Sequence, residues 1–353
     1  MREFIDGATA LARGALDAGC DFFAGYPITP ASPILMSMMR EMPKVGGISI
    51  EAEDEIASIG MCIGAVQSGR RAMTATSGPG ISLYSENIGV AIMGEVPLVI
   101  VDVQRLGPAT GAATTVGQGD VNFVRWGTGG GYPIIALAPS SLTECYSLTR
   151  RAFDLAERFR CPVFLLTDKE LVATAATVEI ADYEAPPVRP RAVAAASEDF
   201  RPYTFEPAGD VPPMAHYGEE VVLRFTGSTH DEGAFITKDP VTVGKLNRHL
   251  VAKIEEHTDE IELTVSDLED GATELLVSYG VTAGAMRAAV RNMRAAGRRV
   301  SSLTIQSLWP VPERAIERAL DGVERVVVAE LNPGQYVAEI ERIAGRGRVV
   351  GIH

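Results

Sequence analysis

The segment Pro97-Leu-Val-Ile-Val-Asp-Val103 constrains the fold more than any other. A strand with one wet face alternates apolar and polar residues; this run does not, so both of its faces must be covered. Strands of that kind belong to parallel sheets flanked by helices, and the neighbouring sequence supplies the helices. From the start to about Asp168 the patterns alternate with short connections. A helix capped by Asp6 runs to about Ala18, followed by strand Asp21 to Ala24, helix Ser32 to Arg40, strand Gly47 to Ile50 and helix Asp54 to Gln67. Strand Arg71 to Thr76, helix Ile81 to Met93 and strand Val96 to Val103 come next. After a long loop the pattern resumes with strand Ile134 to Leu137, helix Ser141 to Arg158 and strand Val163 to Thr167. The 35 glycines, against 2 tryptophans, suit a chain of many tight strand-to-helix turns.

At 353 residues the chain has room for two domains. A second α/β unit starts at Glu274, with strand Leu275 to Tyr279, helix Ala283 to Ala296, strand Val300 to Ile305, helix Glu313 to Leu320, strand Arg325 to Ala329 and helix Tyr336 to Ile343. The two units read as independent parallel sheets. Between them, from about Val178 to Arg224, prolines recur (Pro186, Pro187, Pro190, Pro202, Pro207, Pro212, Pro213) and helical periodicity disappears, which predicts an extended arm. The expected division is a first domain over 1–180, an arm over 181–260 that packs on it and carries a helix from Val241 to Glu256, and a second domain over 261–353.

Acids outnumber bases 46 to 32, a formal net charge of −14, which is the wrong sign for nucleic acid or anionic lipid. Nine acids and no Lys or Arg fall between Glu255 and Glu274, a stretch that reads as a solvated face or linker. The opening Met1-Arg2-Glu3-Phe4-Ile5-Asp6 does not resemble a secretory signal, and no stretch reaches ~18 uninterrupted apolar residues, so a cytoplasmic protein is expected. Cys20, Cys62, Cys145 and Cys161 are scattered through apolar patterns and read as buried thiols; neither they nor the five histidines show metal-ligand spacing.

In an open parallel sheet, ligands bind beyond the carboxyl ends of the strands, so the turns there are the places to search. Four stand out. Gly25-Tyr26-Pro27-Ile28-Thr29-Pro30 is stiffened by two prolines and presents the Thr29 hydroxyl. Glu51-Ala52-Glu53-Asp54-Glu55 opens a helix on which Glu55 shares a stripe with Ile59, Cys62 and Val66, so its carboxylate heads the buried face and needs a partner that can share its proton. Gly60 and Gly64 on that helix read as close-packing positions. Ser77-Gly78-Pro79-Gly80 precedes the helix carrying Asn87 and lacks the lysine of a phosphate-binding P-loop. The segment Arg105 to Pro133, 29 residues with eight glycines, is too long to be a mere connection, and Arg105 at its mouth offers a planar fork matched to a carboxylate.

Taken together, Gly25 to Pro30, Glu51 to Gly69, Ala75-Thr76-Ser77-Gly78-Pro79-Gly80 and Gln104-Arg105-Leu106-Gly107-Pro108 resemble the α subunit of 2-oxoacid:ferredoxin oxidoreductases, particularly the 2-oxoglutarate branch. The resemblance extends to Ser278-Tyr279-Gly280 and Leu331-Asn332-Pro333-Gly334-Gln335 in the second unit. It implies a pyrimidine-binding thiamine diphosphate domain followed by a transketolase C-terminal-like domain. It further implies oxidative decarboxylation of a 2-oxoacid with coenzyme A to acyl-CoA, CO2 and reduced ferredoxin. By resemblance, Glu55 is the catalytic carboxyl at the aminopyrimidine ring, Thr29 and Arg105 contact the substrate, and Tyr26, Pro27, Ile28, Ser77, Gly78 and Asn87 line the cofactor site.

A chain that held the diphosphate alone would need Gly-Asp-Gly and a following Asn to bind magnesium. Gly119-Asp120-Val121 and Gly209-Asp210-Val211 lack the second glycine and an asparagine at the required spacing of about 25–30 residues. The resemblance therefore implies a β subunit carrying the diphosphate, Mg2+ and [4Fe-4S] clusters, a γ subunit as a further option, ferredoxin as electron acceptor and an (αβ)2 assembly. Gly111-Ala112-Ala113-Thr114-Thr115-Val116-Gly117-Gln118 departs from the Gly-x-Pro-Thr-Lys-Thr-Glu-Gln of many 2-oxoglutarate-type members. That leaves 2-oxoglutarate favoured, with branched-chain or aryl 2-oxoacids as alternatives. A non-catalytic scaffold subunit is the reading of another kind, and it gives Glu55 no reason to be buried.

Overall fold

The computed structural model describes residues 2–179, 187–194 and 200–353. Its strands are β1 (Arg2–Asp6), β2 (Phe22–Gly25), β3 (Ile48–Glu51), β4 (Ala72–Thr76), β5 (Leu98–Gln104), β6 (Ile135–Leu137), β7 (Pro162–Asp168) and β8 (Ala175–Glu179). They are followed by β9 (Thr264–Asp267), β10 (Glu274–Tyr279), β11 (Ser301–Ile305), β12 (Ser307–Trp309), β13 (Arg325–Ala329) and β14 (Val349–Ile352). The first sheet has the order β12-β6-β7-β5-β4-β2-β3, and every pairing from β6 to β3 is parallel. Each residue of β5 and β7 is buried, as the missing alternation requires.

One face of this sheet packs on helices Gly7–Asp17, Ser32–Glu41 and Leu142–Phe159. The longest of the three is capped at its start: Ser141 Oγ accepts from the Glu144 amide, and the Glu144 carboxylate accepts from the amide of Ser140, the residue before the cap, at 2.6 Å. The other face holds helix Glu55–Gln67 and a core continuous with Leu275, Val277, Leu303 and Val328 of the second unit. That unit is a five-stranded sheet, β14-β13-β10-β11-β9, parallel except for β9.

Several expectations are corrected. The two sheets are not independent: β12 comes from the second unit and pairs antiparallel with β6, with Ala138 N–H donating to Gln306 O at 2.7 Å. A three-residue strand carries no periodicity by which it could be assigned from sequence. The acidic stretch is the solvated face of the two alternatives rather than a linker: it is largely exposed and contains helix Thr258–Ile261 and the edge strand β9. Its charge is met from outside by arginines, Asp267 and Glu269 by Arg294 (2.9 and 3.0 Å) and Glu260 by Arg158 (3.0 Å). Helix Ile81 to Met93 is two helices, Pro79–Leu83 and Ser85–Met93, and the long loop contains a further helix, Val121–Trp126. At the start, β1 pairs antiparallel with β8, an addition no local pattern announced.

The helix of the arm is Pro240–Glu255. Pro186 and the arm's residues 181–186 and 195–199 lie outside the described residues. Among the described residues no helix is long and apolar enough to cross a membrane, and all four cysteines are buried and unpaired.

Candidate active site

Because β3, β2, β4 and β5 are adjacent and parallel, the four turns singled out from sequence emerge side by side at one edge of the sheet. The register aligns them: Gly25 lies opposite Glu51, and Thr76 opposite Asp102.

Glu55 and Asp54 divide their work as the helical stripe requires. Asp54 caps the helix, its Oδ1 accepting from Ala57 N–H at 2.7 Å, and stays exposed. Glu55 is 7% exposed, and Ile59, Cys62 and Val66 behind it are fully buried. The first turn of this helix is pinned by groups the sequence reading missed. Ser58 Oγ donates to Glu55 O at 2.8 Å and contacts the Tyr84 hydroxyl at 2.9 Å; that hydroxyl also lies 2.8 Å from Thr74 Oγ1. Burial pushes the Tyr84 hydroxyl above its ordinary pKa, so it stays neutral and links the Ser58 hydroxyl of the helix to the Thr74 hydroxyl of β4. The break at Tyr84 between the two short helices brings this ring inward; a tyrosine between two helical patterns was the only available signal.

Gly80 marks the close approach. A Cβ there would fall 2.1 Å from Thr76 Oγ1 and 3.0 Å from Glu55 Oε1, so only glycine lets the turn after β4 lie against the carboxylate. Thr76 Oγ1 and Ser77 Oγ are buried with no hydrogen-bond partner. A carboxyl at a helix start, two unpaired hydroxyls and a backbone stripped of side chain fit the edge of a flat polar heterocycle.

Gly60 and Gly64 do not serve close packing within the chain, since a Cβ at either would meet nothing within 4 Å. They face outward beside Ile56, which is 52% exposed.

Arg105 is only 5% exposed, and its Nη1 donates to the Thr29 carbonyl, which ties the mouth of the long loop to the proline-stiffened turn. Within that turn Pro27 and Thr29 are exposed, while Tyr26 and Ile28 are half-buried. Arg105 lies in the wall of a cleft of about 460 Å³, with Gly78, Pro108, Asp120, Leu331 and Pro333 around it. Asn87 is half-buried on helix Ser85–Met93 and does not line this cleft.

The second unit closes the cleft through a polar lock that sequence reasoning did not resolve. Asn332 Nδ2 donates to Gln118 O (2.7 Å), the Tyr279 hydroxyl and Glu330 (both 2.8 Å), and Gln118 Oε1 accepts from Leu331 N–H at 2.9 Å. Gln335 adds bonds to Gly119 O and from Asn122 N–H. Residues 118–122 of the glycine-rich loop are thereby held against the Leu331-Asn332-Pro333-Gly334-Gln335 turn.

Residues 13–248 match the family described as pyruvate flavodoxin/ferredoxin oxidoreductase, thiamine diphosphate-binding, and residues 272–352 match pyruvate:ferredoxin oxidoreductase core domain II. The chain is 42% identical to the 2-oxoglutarate synthase subunit KorA of Methanocaldococcus jannaschii, over 99% of its own length and 93% of that protein. Among solved structures it is similar to the 2-oxoglutarate:ferredoxin oxidoreductase from Magnetococcus marinus with 2-oxoglutarate, coenzyme A and succinyl-CoA bound, at 30% identity and a TM-score of 0.93. That likeness covers 99% of this chain and 62% of the solved one. A split-gene transketolase shares the fold at 13% identity and a TM-score of 0.53, over 98% of this chain and 87% of that one.

Proposed function

Because this chain belongs to the 2-oxoacid:ferredoxin oxidoreductase family, we propose that it acts as the α subunit of a 2-oxoglutarate-oxidising complex and holds the pyrimidine half of thiamine diphosphate. The observation that carries the reading is the meeting of Glu55, Gly80 and Thr76 at the end of β4, one strand from the Arg105–Thr29 contact. The reaction converts 2-oxoglutarate and coenzyme A to succinyl-CoA and CO2 and delivers two electrons to ferredoxin. Thiamine diphosphate, when bound, supplies the nucleophilic carbon and electron sink that such a decarboxylation needs.

In this reading Glu55 holds a proton at the aminopyrimidine ring nitrogen, with Ser58, Tyr84 and Thr74 fixing the helix turn behind it. Tyr26, Pro27, Ile28, Ser77, Gly78 and Asn87 are assigned to the surroundings of the ring. Arg105 binds the substrate carboxylate, the Thr29 hydroxyl bonds to the same end, and the loop locked by Asn332 keeps water from the cleft. The departure at Gly111–Gln118 favours a comparison with a branched-chain 2-oxoacid, and the acyl-CoA formed from each acid decides the substrate.

Arg105→Lys tests the assignment. Lysine keeps the charge and loses the bidentate fork, so kcat/KM for the 2-oxoacid falls by ~10-fold or more, about 1.4 kcal/mol, beside a stability loss of only about 1 kcal/mol from the Thr29 carbonyl bond. Unchanged kinetics beside a clear fall in melting temperature would remove Arg105 from the substrate site.

The remaining cofactor groups, Mg2+, diphosphate and [4Fe-4S] clusters, are assigned to a β subunit in an (αβ)2 assembly. A γ chain is a further option for that assembly. The outward faces beside the edge strand β3 support a covering partner: Met36 is 67% exposed, and Ile48, Ile56 and Met61 are exposed near the outward Gly60 and Gly64. Four unpaired buried cysteines support the reducing cytoplasm as the location. Calorimetry on the isolated chain checks the division of the site, with weak or no binding of thiamine diphosphate expected. Magnesium-dependent binding at ~1 μM or tighter, about −8 kcal/mol, would place the whole site on this chain.

A further inference from the structure

At the amino ends of the strands, the far edge of the sheet from the proposed active site, lies a cavity of about 150 Å³. Its wall carries four arginines, Arg158, Arg160, Arg189 and Arg191, and a single carboxylate, Glu157. That is an unusual local balance in a chain whose net charge is −14. Two elements bring the arginines together. Arg158 lies in the last turn of helix Leu142–Phe159 and Arg160 follows it, just before β7 begins at Pro162. Arg189 and Arg191 come from the arm that crosses there.

The acids beside the cavity are already shared. Glu157 accepts from Arg191 Nε and Nη2, both at 2.8 Å, and lies 3.3 Å from Arg71 Nε. Asp154 pairs with Arg189 at 2.7 Å and with Arg151 at 2.5 Å, and Glu260 lies 3.0 Å from Arg158 and 3.8 Å from Arg189. Five arginines thus lean on three carboxylates. Arg160 is the sixth, and among the described residues it has no carboxylate partner. It is 5% exposed, its Nη1 donates only to the carbonyls of Pro202, Pro212 and Pro213, and its Nε is buried without a partner. Glu95, which feels the Arg160 charge, is bonded instead to Lys253 and His249.

Buried cations in excess of their anions are costly, and guanidinium forks match oxoanions. A planar carboxylate offers one edge to one fork, whereas a tetrahedral phosphate offers oxygens out of plane to arginines arriving from two elements. We propose that this cavity binds a phosphate group, with Arg160 and Arg191 at its buried base and the partly exposed Arg158 and Arg189 at its mouth. Since Arg160 also holds the arm at three prolines, the anion fastens the arm to the first domain. The site is independent of the thiamine reading, because none of its residues stands at the carboxyl ends of the strands.

Calorimetry on the full chain, with inorganic phosphate titrated against chloride at equal ionic strength, gives one-site saturation with a Kd of ~1 mM or tighter. Arg189→Gln removes one cation at the mouth and weakens binding by ~10-fold or more, the scale of one charge-assisted bond. Arg158→Gln does the same from the other side of Glu260 and serves if Arg189→Gln fails to fold. Phosphate also stabilises proteins generally by its exclusion from their surfaces, so melting curves separate the two effects. The parent shows a saturable rise of about 2 °C or more at ~10 times the Kd, and the variants keep only the unsaturable part. Hydrogen exchange slows with phosphate over residues 189–192 and 211–213. Glycerol phosphate is the second probe: binding as tight as that of the inorganic ion places the phosphate on a larger molecule, and binding of the inorganic ion alone makes the free ion the ligand. No saturable binding of either probe, or phosphate binding unchanged in a variant that folds, overturns the site.

Discussion

Glu55→Gln lowers turnover of the assembled complex by at least ~100-fold, within the ~10²–10⁴ usual for a general acid–base group. The amide keeps the shape and reach of the carboxyl and cannot pass a proton to the pyrimidine ring. Its surroundings stay in place because they do not depend on the charge: Gly80 leaves room for either group, and the Ser58–Tyr84–Thr74 bonds act through the Glu55 carbonyl. Steady-state kinetics at saturating 2-oxoacid, with melting curves on the same preparation, read both effects. Turnover within ~3-fold of the parent, worth under ~1 kcal/mol of barrier, would reduce Glu55 to a helix-end acid.

Glu95→Gln is expected to cost ~3–5 kcal/mol of stability, as breaking a buried ion pair from one side does. Glu95 is fully buried in a left-handed backbone conformation (φ 50°), and its Oε2 accepts from His249 Nε2 at 3.0 Å and Lys253 Nζ at 2.8 Å. Burial alone would raise this carboxyl, but the Lys253 charge, the His249 bond and the Arg160 charge hold it far below the ordinary range. A depressed carboxyl contributes stability above its unfolded pKa and loses it as pH falls through the folded one, so this contribution persists through neutral pH and fails only in strong acid. Glutamine strands the Lys253 ammonium in the interior. The neighbouring arm is released with it, because Lys253 also donates to Arg160 O, and Arg160 in turn donates to the carbonyls of Pro202, Pro212 and Pro213. Denaturant unfolding gives the energy, and hydrogen exchange over residues 202–214 gives the location. A loss under ~1 kcal/mol, the scale of an exposed pair, would show the cluster to be redundant.

Much of this architecture was legible along the chain because its signals are local. Unbroken apolar runs required strands covered on both faces, and β5 and β7 are buried at every residue. Helical phase separated Glu55 from Asp54, and one is buried while the other caps. The turns at strand ends were identifiable because proline and glycine restrict or free the backbone wherever they stand.

What the tertiary structure alone decided lies in contacts between residues far apart in sequence. Pairing of β12 with β6 across about 170 residues has no local signature, because three residues cannot display a period. Gly60 and Gly64 could pack against this chain or face away from it, and helical phase alone did not say that the space beside them is open. Asn332 and Gln118 meet only when the second unit folds over the first. A residue's chemical type is written in the chain, but the charges and hydrogen-bond partners that set its protonation and orientation are supplied by whatever the fold brings within a few ångströms.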